Sequence, residues 1–298
     1  MKTVIALGTF DGVHVGHKAI FDRANEIAKE KDLSPLCFTF NDNPANFLTP
    51  YHPVRLITPK REKKRRIAAA IRNAYYIDFS DVAEMSAREF FVFLISKFNA
   101  RAFVCGFNYT FGKDREGDAE TLKKLCGEFG FYCEIVPEVQ DGEIVVSSTN
   151  IRRLITMGRL PKANSLLTEP YSVTAKVVKG KKVGRRLGFP TLNQKLLRNA
   201  VRLPDGVYIT KAVVGGKSFK AVTNIGVCPT FGDRAERMEP HIIDRGSGVK
   251  KGYSGYMRVV FYERLRDETA FSSPDELKAQ IKSDISACRA YFSRKKAK

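Results

Sequence analysis

The sequence predicts an α/β domain with a parallel sheet, followed by a small antiparallel β-barrel or sandwich that a C-terminal helix closes. Three observations carry this. Apolar strand-like runs alternate with amphipathic helical stretches through the first half, which is the pattern of βαβ units in a doubly wound sheet. Past Pro170 the rhythm changes to short β-rich runs separated by glycine and proline turns. Charge divides the same way: of 51 Lys+Arg and 32 Asp+Glu, residues 1–150 hold 20 of each, so the whole net charge of +19 falls in residues 151–298. A chain of 298 residues is long enough for two cores.

The elements follow in order. Val4-Ile5-Ala6-Leu7 reads as a first strand, and Ile20, Phe21, Ala24, Ile27 and Ala28 make the apolar stripe of a first helix. Leu36–Phe40 is a continuous apolar run typical of a buried parallel strand. A basic helix is expected from about Glu62 to Asn73 and a strand near Tyr75–Phe79. Ser86 and Glu89 form a capping box for a helix over Ala87–Phe98. Ala102–Cys105 reads as strand, Ala119–Glu128 as helix and Phe131–Val136 as strand. One or two short helices are expected over Asn150–Leu167, ending at Glu169-Pro170. In the second half Val173–Val178, Val207–Val213, Phe219–Thr223 and Met257–Tyr262 are the strand candidates. The last helix begins at a Ser272 or Ser273 cap with Pro274 in its first turn, and Leu277, Ile281, Ile285, Cys288 and Phe292 form its buried stripe.

Composition narrows the class. The chain is 43% apolar and 28% charged, with no apolar run of membrane-spanning length and no signal-peptide start. The six cysteines form no C-x-x-C pair, and Cys37 and Cys105 lie in apolar runs, so free thiols in a reducing cytoplasm are expected. A basic second half raises nucleic acid or an acidic membrane as partners. No zinc finger, helix-turn-helix or RNA-binding aromatic signature accompanies the charge, so neither is expected as the main partner. Nothing in the sequence specifies an oligomeric state.

Residues 8–17, G-T-F-D-G-V-H-V-G-H, follow directly on the first strand. His14 and His17, three apart at the start of a helix, share a face. The free N–H groups and dipole of that first turn attract anions, so the rings are placed to meet the phosphates of a nucleotide. Gly8, Gly12 and Gly16 are expected to let the backbone approach that ligand, with Phe10 between them. This stretch resembles the H-x-G-H signature of the nucleotidyltransferase superfamily. Its longer form is similar to bacterial FAD synthetases, the bifunctional riboflavin kinase/FMN adenylyltransferases.

Further segments carry the same resemblance. Phe38–Pro44 matches a strand end where that family shows P-H-P, with Asn43 standing at the histidine position. Gly106-Phe107-Asn108-Tyr109-Thr110-Phe111-Gly112-Lys113 suits a loop that stacks a ring, and Asn108 and Phe111 are the flavin contacts the resemblance implies. Ser147-Ser148-Thr149-Asn150-Ile151-Arg152 resembles I-S-S-T-x-I-R, in which hydroxyls and an arginine clamp phosphates. Taken singly, the Gly106–Gly112 stretch reads equally as an aromatic-rich loop and Ser147–Thr149 as a helix cap. In the second half, residues 180–193, G-K-K-V-G-R-R-L-G-F-P-T-L-N, resemble the riboflavin kinase segment G-x-x-x-G-R-x-L-G-F-P-T-A-N. Gly180, Lys182, Gly184 and Arg185 would cover ATP phosphates. Thr191 and Asn193, two apart on an extended strand, point to one face and can offer two oxygens to one Mg²⁺. P-D-G-V-Y at 204–208, N-I-G-V-C-P-T-F at 224–231 and L-R-D-E-T-A-F at 265–271 continue the match. Glu239, His241 and Asp244 fit the family's E-x-H-x-x-D, whereas residues 245–255 replace its usual aromatic and G-D-L-Y-G with a longer basic, glycine-rich loop.

The resemblance implies a Rossmann-like nucleotidyltransferase domain over residues 1–164 and an antiparallel β-barrel riboflavin kinase domain over 165–298. It implies Mg²⁺ with ATP, riboflavin and FMN as substrates, and FAD as the final product. His14, His17 and Arg152 would steady phosphate charge, Glu268 would be the kinase base, and Arg266 would contact the flavin. An adenylyltransferase for a nicotinamide or pantetheine phosphate would not need the Thr191/Asn193 segment. A flavin-responsive nucleic-acid-binding protein would need the basic half without turnover.

Overall fold

The computed structural model describes residues 1–180, 183–230, 233–244 and 253–294. It divides into two compact units, Met1–Ile151 with Leu166–Thr168, and Arg152–Ser165 with Glu169–Lys298.

The first unit is a five-stranded parallel sheet. Its elements are β1 (Thr3–Leu7), α1 (Val15–Glu30), β2 (Ser34–Phe40), α2 (Pro44–Leu48), α3 (Lys60–Ala70), β3 (Asn73–Ile77), α4 (Ala87–Phe98), β4 (Ala100–Gly106), α5 (Ala119–Glu128) and β5 (Tyr132–Val136). The strand order is β3-β2-β1-β4-β5, and every pair is parallel. Side chains alternate across the sheet. Ile5 and Leu7 pack with Phe90, Phe91, Leu94 and Leu122 on the face that α4 and α5 cover, and Val4 and Ala6 pack with Phe21, Ala24, Ile27 and Ile67 on the face that α1 and α3 cover. Burial on both faces is why these strands read as unbroken apolar runs. The capping box is present as read: Glu89 N donates to Ser86 Oγ at 3.2 Å and Ser86 N to Glu89 Oε2 at 2.8 Å.

Several expected boundaries move. Helix α3 starts two residues earlier than Glu62, because the Pro59 carbonyl already accepts from Glu62 N and Lys63 N. It ends at Ala70, where Ile71 turns extended (φ −143°, ψ 139°) to enter β3, so Asn73 is strand rather than helix. Phe79 falls in a short 3₁₀ turn.

Two helices, α6 (Ser148–Thr156) and α7 (Leu160–Leu166), precede the second unit's barrel. The barrel strands are β6 (Ser172–Val178), β7 (Asn193–Lys195), β8 (Gly206–Val214), β9 (Lys217–Thr230), β10 (Asp233–Ile242) and β11 (Tyr256–Arg266), with the short helix α8 (Val183–Arg186) between β6 and β7. They close in the order β6-β7-β10-β9-β8-β11, and the β6–β11 pairing seals the ring. The structure therefore resolves the barrel-or-sandwich alternative as a closed barrel. β7 begins at Asn193, within the extended segment expected at Thr191 and Asn193, whereas β10 was not expected, since D-R-A-E-R-M-E-P-H-I is too charged to signal a strand. Met238, Pro240 and Ile242 are buried among its described side chains, and β10 pairs on both sides. Helix α9 (Pro274–Arg294) packs Ile285, Cys288 and Phe292 against Val207, Ile209, Val222 and Tyr262. Its buried face also includes Asp284, a carboxylate the apolar stripe did not suggest.

Candidate active sites, one in each unit

The sheet order reverses between β1 and β4, and the carboxyl ends of those strands are where an open α/β sheet takes ligands. The β1–α1 turn lies at one of them and is held tightly. Asp11, buried, accepts from Ile57 N at 3.1 Å, Thr58 N at 2.9 Å and Thr58 Oγ1 at 3.2 Å. Gly12 N donates to Thr58 Oγ1 at 2.8 Å, Arg66 Nη1 to Gly12 O at 3.2 Å, and Ser148 Oγ to Asp11 O at 2.8 Å. Thr168 Oγ1 donates to Val13 O at 2.6 Å. Within this lattice Phe10 (φ 49°) and Val13 (φ 46°) sit in the left-handed region, an outlying conformation for a β-branched residue. Such strain persists where surroundings over-determine it, and it concentrates at functional sites.

His14 is the N-cap of α1, and its Nδ1 accepts from His17 N at 3.2 Å. That ring is therefore neutral, and burial lowers its pKa to about 4. The His17 ring stacks on it with centroids 3.5 Å apart and stands edge-on to Phe10 at 5.1 Å. Burial and the neighbouring His14 and Lys63 push the His17 pKa well below the usual histidine range. His17 Nδ1 has no hydrogen-bond partner among the described residues. The site thus offers two neutral imidazoles at the positive end of a 16-residue helix.

Two glycines make room for the site's own side chains. A Cβ on Gly8 would stand 3.0 Å from the Phe10 ring, and one on Gly16 would stand 3.2 Å from His14 Nδ1. Gly12 does need its residue type, at φ 88°.

Ser147 Oγ caps α6 by accepting from Asn150 N at 3.2 Å, while Ser148 ties α6 to the β1–α1 turn. Thr149 is exposed, and Arg152 lies half-buried on the same helix. Asn43 accepts from Ala45 N at 3.0 Å and so caps α2. Asn108 is exposed just past the end of β4. Phe111 is instead a core ring, 7% exposed and stacked on Tyr109 at 5.6 Å, because its short hairpin folds it under α4. The residue that sequence reading missed is Lys63, 7% exposed. Its signal was present, a Pro59 helix start with Glu62 and Arg66 one turn apart, but the helix read simply as basic.

On the barrel, Asn193 Nδ2 donates to Thr191 Oγ1 at 3.2 Å, and Asn193 Oδ1 is buried with no partner among the described residues. Two neighbouring oxygens, one of them orphaned, suit a hard cation. Among the described residues no group of three His, Cys, Asp or Glu could hold a metal, so a cation here would draw its remaining ligands from elsewhere. A Cβ on Gly180 would stand 2.5 Å from Asn193 Nδ2, so that glycine lets the flap approach the strand. Phe189 N donates to Gly184 O at 2.7 Å, which turns residues 184–189 back on themselves, and Arg185 is exposed. His241 Nδ1 donates to Pro190 O at 3.0 Å, and burial lowers its pKa. Lys182, Phe231 and residues 245–252 of the altered loop lie outside the described residues.

Glu268 is exposed just past β11, and Asn224 Nδ2 on β9 donates to its Oε1 at 2.8 Å. A Cβ on Gly226 would overlap that carboxylate. The N-x-G spacing therefore has a physical reading, since Asn224 supplies the donor and Gly226, two residues along the same strand face, supplies the room. Arg266 is fully engaged: Nε meets Asp284 Oδ1 at 3.1 Å, Nη2 meets Oδ2 at 2.9 Å, and Nη1 donates to Asp267 O at 3.1 Å. It anchors α9 to the strand that presents Glu268, and its flat face covers Phe271 at 5.7 Å.

Two family models match the chain, FAD synthetase over residues 1–150 and riboflavin kinase over residues 167–292. A bifunctional riboflavin kinase/FMN adenylyltransferase of Bacillus subtilis (strain 168) is 35% identical, with the alignment covering 98% of this chain and 93% of that protein. The protein of the same name from Escherichia coli (strain K12) is 33% identical over 97% of this chain and 92% of its own length. A Streptococcus pneumoniae crystal structure described as a macrolide-efflux protein is 36% identical, with a TM-score of 0.87 over 97% of this chain and 94% of that one. Among the described residues of this chain no helix is long and apolar enough to cross a membrane.

Proposed function

The chain belongs to the bifunctional riboflavin kinase/FMN adenylyltransferase family, and from that premise we propose how its two sites divide the work. The enzyme phosphorylates riboflavin to FMN and adenylylates FMN to FAD with release of pyrophosphate. We assign adenylylation to residues 1–164 and phosphorylation to residues 165–298. One observation carries this reading: the FAD synthetase model matches residues 1–150, all within the first unit, and the riboflavin kinase model matches residues 167–292, which from Glu169 on lie within the second.

In adenylylation an oxygen of the FMN phosphate attacks the α-phosphate of ATP. That nucleophile is already ionised at neutral pH, so the protein need supply no base. Its task is in-line positioning and stabilisation of the charge that builds on the phosphates. His14, His17, the α1 N-terminus and Arg152 take that role, with Thr149 and the ordered Ser147–Ser148 turn beside them. Asn108 is the flavin contact, while the interior position of Phe111 argues for an indirect part.

In phosphorylation the ribityl 5′-hydroxyl attacks the γ-phosphate of ATP, and Glu268 takes its proton. Asn224 holds that carboxylate in place. The residues present fit a magnesium ion carried in with ATP: Thr191 and Asn193 would hold it, and it would neutralise phosphate charge. Arg266 positions the Glu268 segment through Asp284. The free thiols of Cys37, Cys105, Cys126, Cys133 and Cys288 suit a reducing cytoplasm.

Incubating the protein with riboflavin, ATP and Mg²⁺ and resolving flavins by chromatography tests the assignment. FMN should appear first and FAD after it. Product that stops at FMN would remove the first site, and no phosphorylation at all would remove the second.

A further inference from the structure

Helix α3 opens with K-R-E-K-K-R-R, yet three of those charges are interior, namely Glu62, Lys63 and Arg66. Two of them answer each other, since Glu62 Oε1 accepts from Arg66 Nε at 3.2 Å and from Arg65 Nη2 at 2.6 Å. Lys63 stands apart. Its Nζ donates to the carbonyl of Phe40 at 2.8 Å, the last residue of β2, at the carboxyl edge of the sheet. An ammonium carries three hydrogens, and among the described residues Phe40 O is the acceptor it has.

The charged and titratable groups around it do not complete it. From the β1–α1 turn it faces Asp11, whose carboxylate is taken by Ile57 and Thr58. From β2 it faces Cys37, whose thiol burial keeps protonated. Beyond β2 it faces Asp42, whose Oδ1 accepts from Asn43 N at 2.7 Å and Asn46 Nδ2 at 3.2 Å. From α1 it faces His17, a base held neutral. Burial lowers the Lys63 pKa to about 8, so the group stays largely cationic at neutral pH. A buried cation with unused hydrogens is costly unless an anion completes it.

We propose that Lys63 is a phosphate-binding cation of the adenylyl-transfer site, meeting the nucleotide phosphates from the β2 side while the neutral rings of His14 and His17 meet them from α1. The inference rests on the adenylyl-transfer reading of the first unit. It also accounts for position 43, where Asn43 is occupied in capping α2 and carries no charge. The contact is ionic, and no bond is made or broken at Lys63.

Lys63→Met keeps the side-chain length and removes the charge. In the full-length protein, with wild type alongside, FAD formation from FMN and ATP should fall roughly 10²-fold. Affinity for pyrophosphate should weaken in parallel, and riboflavin phosphorylation should be unchanged. Wild type that makes no FAD would count against the adenylyl-transfer reading itself. A folded variant with wild-type FAD rate and pyrophosphate affinity would overturn the role of Lys63 alone. Should the variant fail to fold, trace acetylation of wild type followed by mass spectrometry at Lys63 decides the matter. Pyrophosphate should slow labelling severalfold, and an unchanged labelling rate would overturn the proposal.

Discussion

Around the β1–α1 turn the ionisable groups are buried, neutral or tied before any ligand arrives, whereas on the barrel the candidate base is exposed and held by one neutral donor. The difference follows the two reactions. A phosphate nucleophile brings its own charge, so its site gains from rigid donors and a fixed dipole that need not reorganise. A hydroxyl nucleophile must lose a proton, so its site needs a carboxylate that stays ionised and reachable. Exposure serves that need, because burial would raise a glutamate's pKa and favour its neutral form.

The comparison breaks most visibly at Glu268. Glu268→Gln keeps the shape and the acceptor facing Asn224 but cannot take a proton, so FMN formation should fall by roughly 10²–10⁴. FAD formation from supplied FMN should persist. A glutamine variant that phosphorylates riboflavin at the parent rate would remove Glu268 as base. His17→Ala should do the reverse, lowering FAD formation by about 10²–10³ while leaving FMN formation intact. Equal loss of both activities in a folded variant would mean that the sites are not separate.

How much of this was legible differs between the units for the same physical reason. The α1 stripe, the Ser86–Glu89 box and the β1–α1 turn are local patterns, and all three could be read directly. Strand β10 could not, because its charged alternation becomes a strand only through pairing with β7 and β9 on either side. Asp284 and Lys63 were missed likewise. A buried charge looks like a surface charge until its partner, here Arg266 or the Phe40 carbonyl, comes from a distant segment. Motif spacing located Glu268, but only the fold shows why Asn224 and Gly226 accompany it.

The rigidity of the first site should also appear as a pH dependence of stability. His14 titrates near 6.5 when unfolded and near 4 when folded, so between those values the unfolded chain binds more protons. Stability should therefore fall as pH drops from 6.5 to 4, by about 1.4 kcal/mol per pH unit, or about 3 kcal/mol across the window for this residue. Urea unfolding at a series of pH values checks it against His14→Asn, which keeps a capping acceptor without a titrating ring. The variant should show the shallower slope, and identical slopes would mean that His14 is not held neutral.

The smallest effect belongs to Asn224, and it sharpens the contrast from the barrel side. Its amide donates to Glu268 Oε1 at 2.8 Å, so it orients the base without touching the transferred proton. Because the carboxylate is exposed, water can replace that donor, and Asn224→Ala should lower FMN formation only about tenfold. A purely structural role would lower the urea unfolding midpoint together with the rate. Loss of an orienting donor should lower kcat while leaving the KM values for riboflavin and ATP and the urea unfolding midpoint near those of the parent. FAD formation should be untouched. A rate drop that comes with a lowered unfolding midpoint would assign Asn224 to the barrel's packing, and Glu268 would then depend on Gly226 and the Arg266–Asp284 anchor for its position.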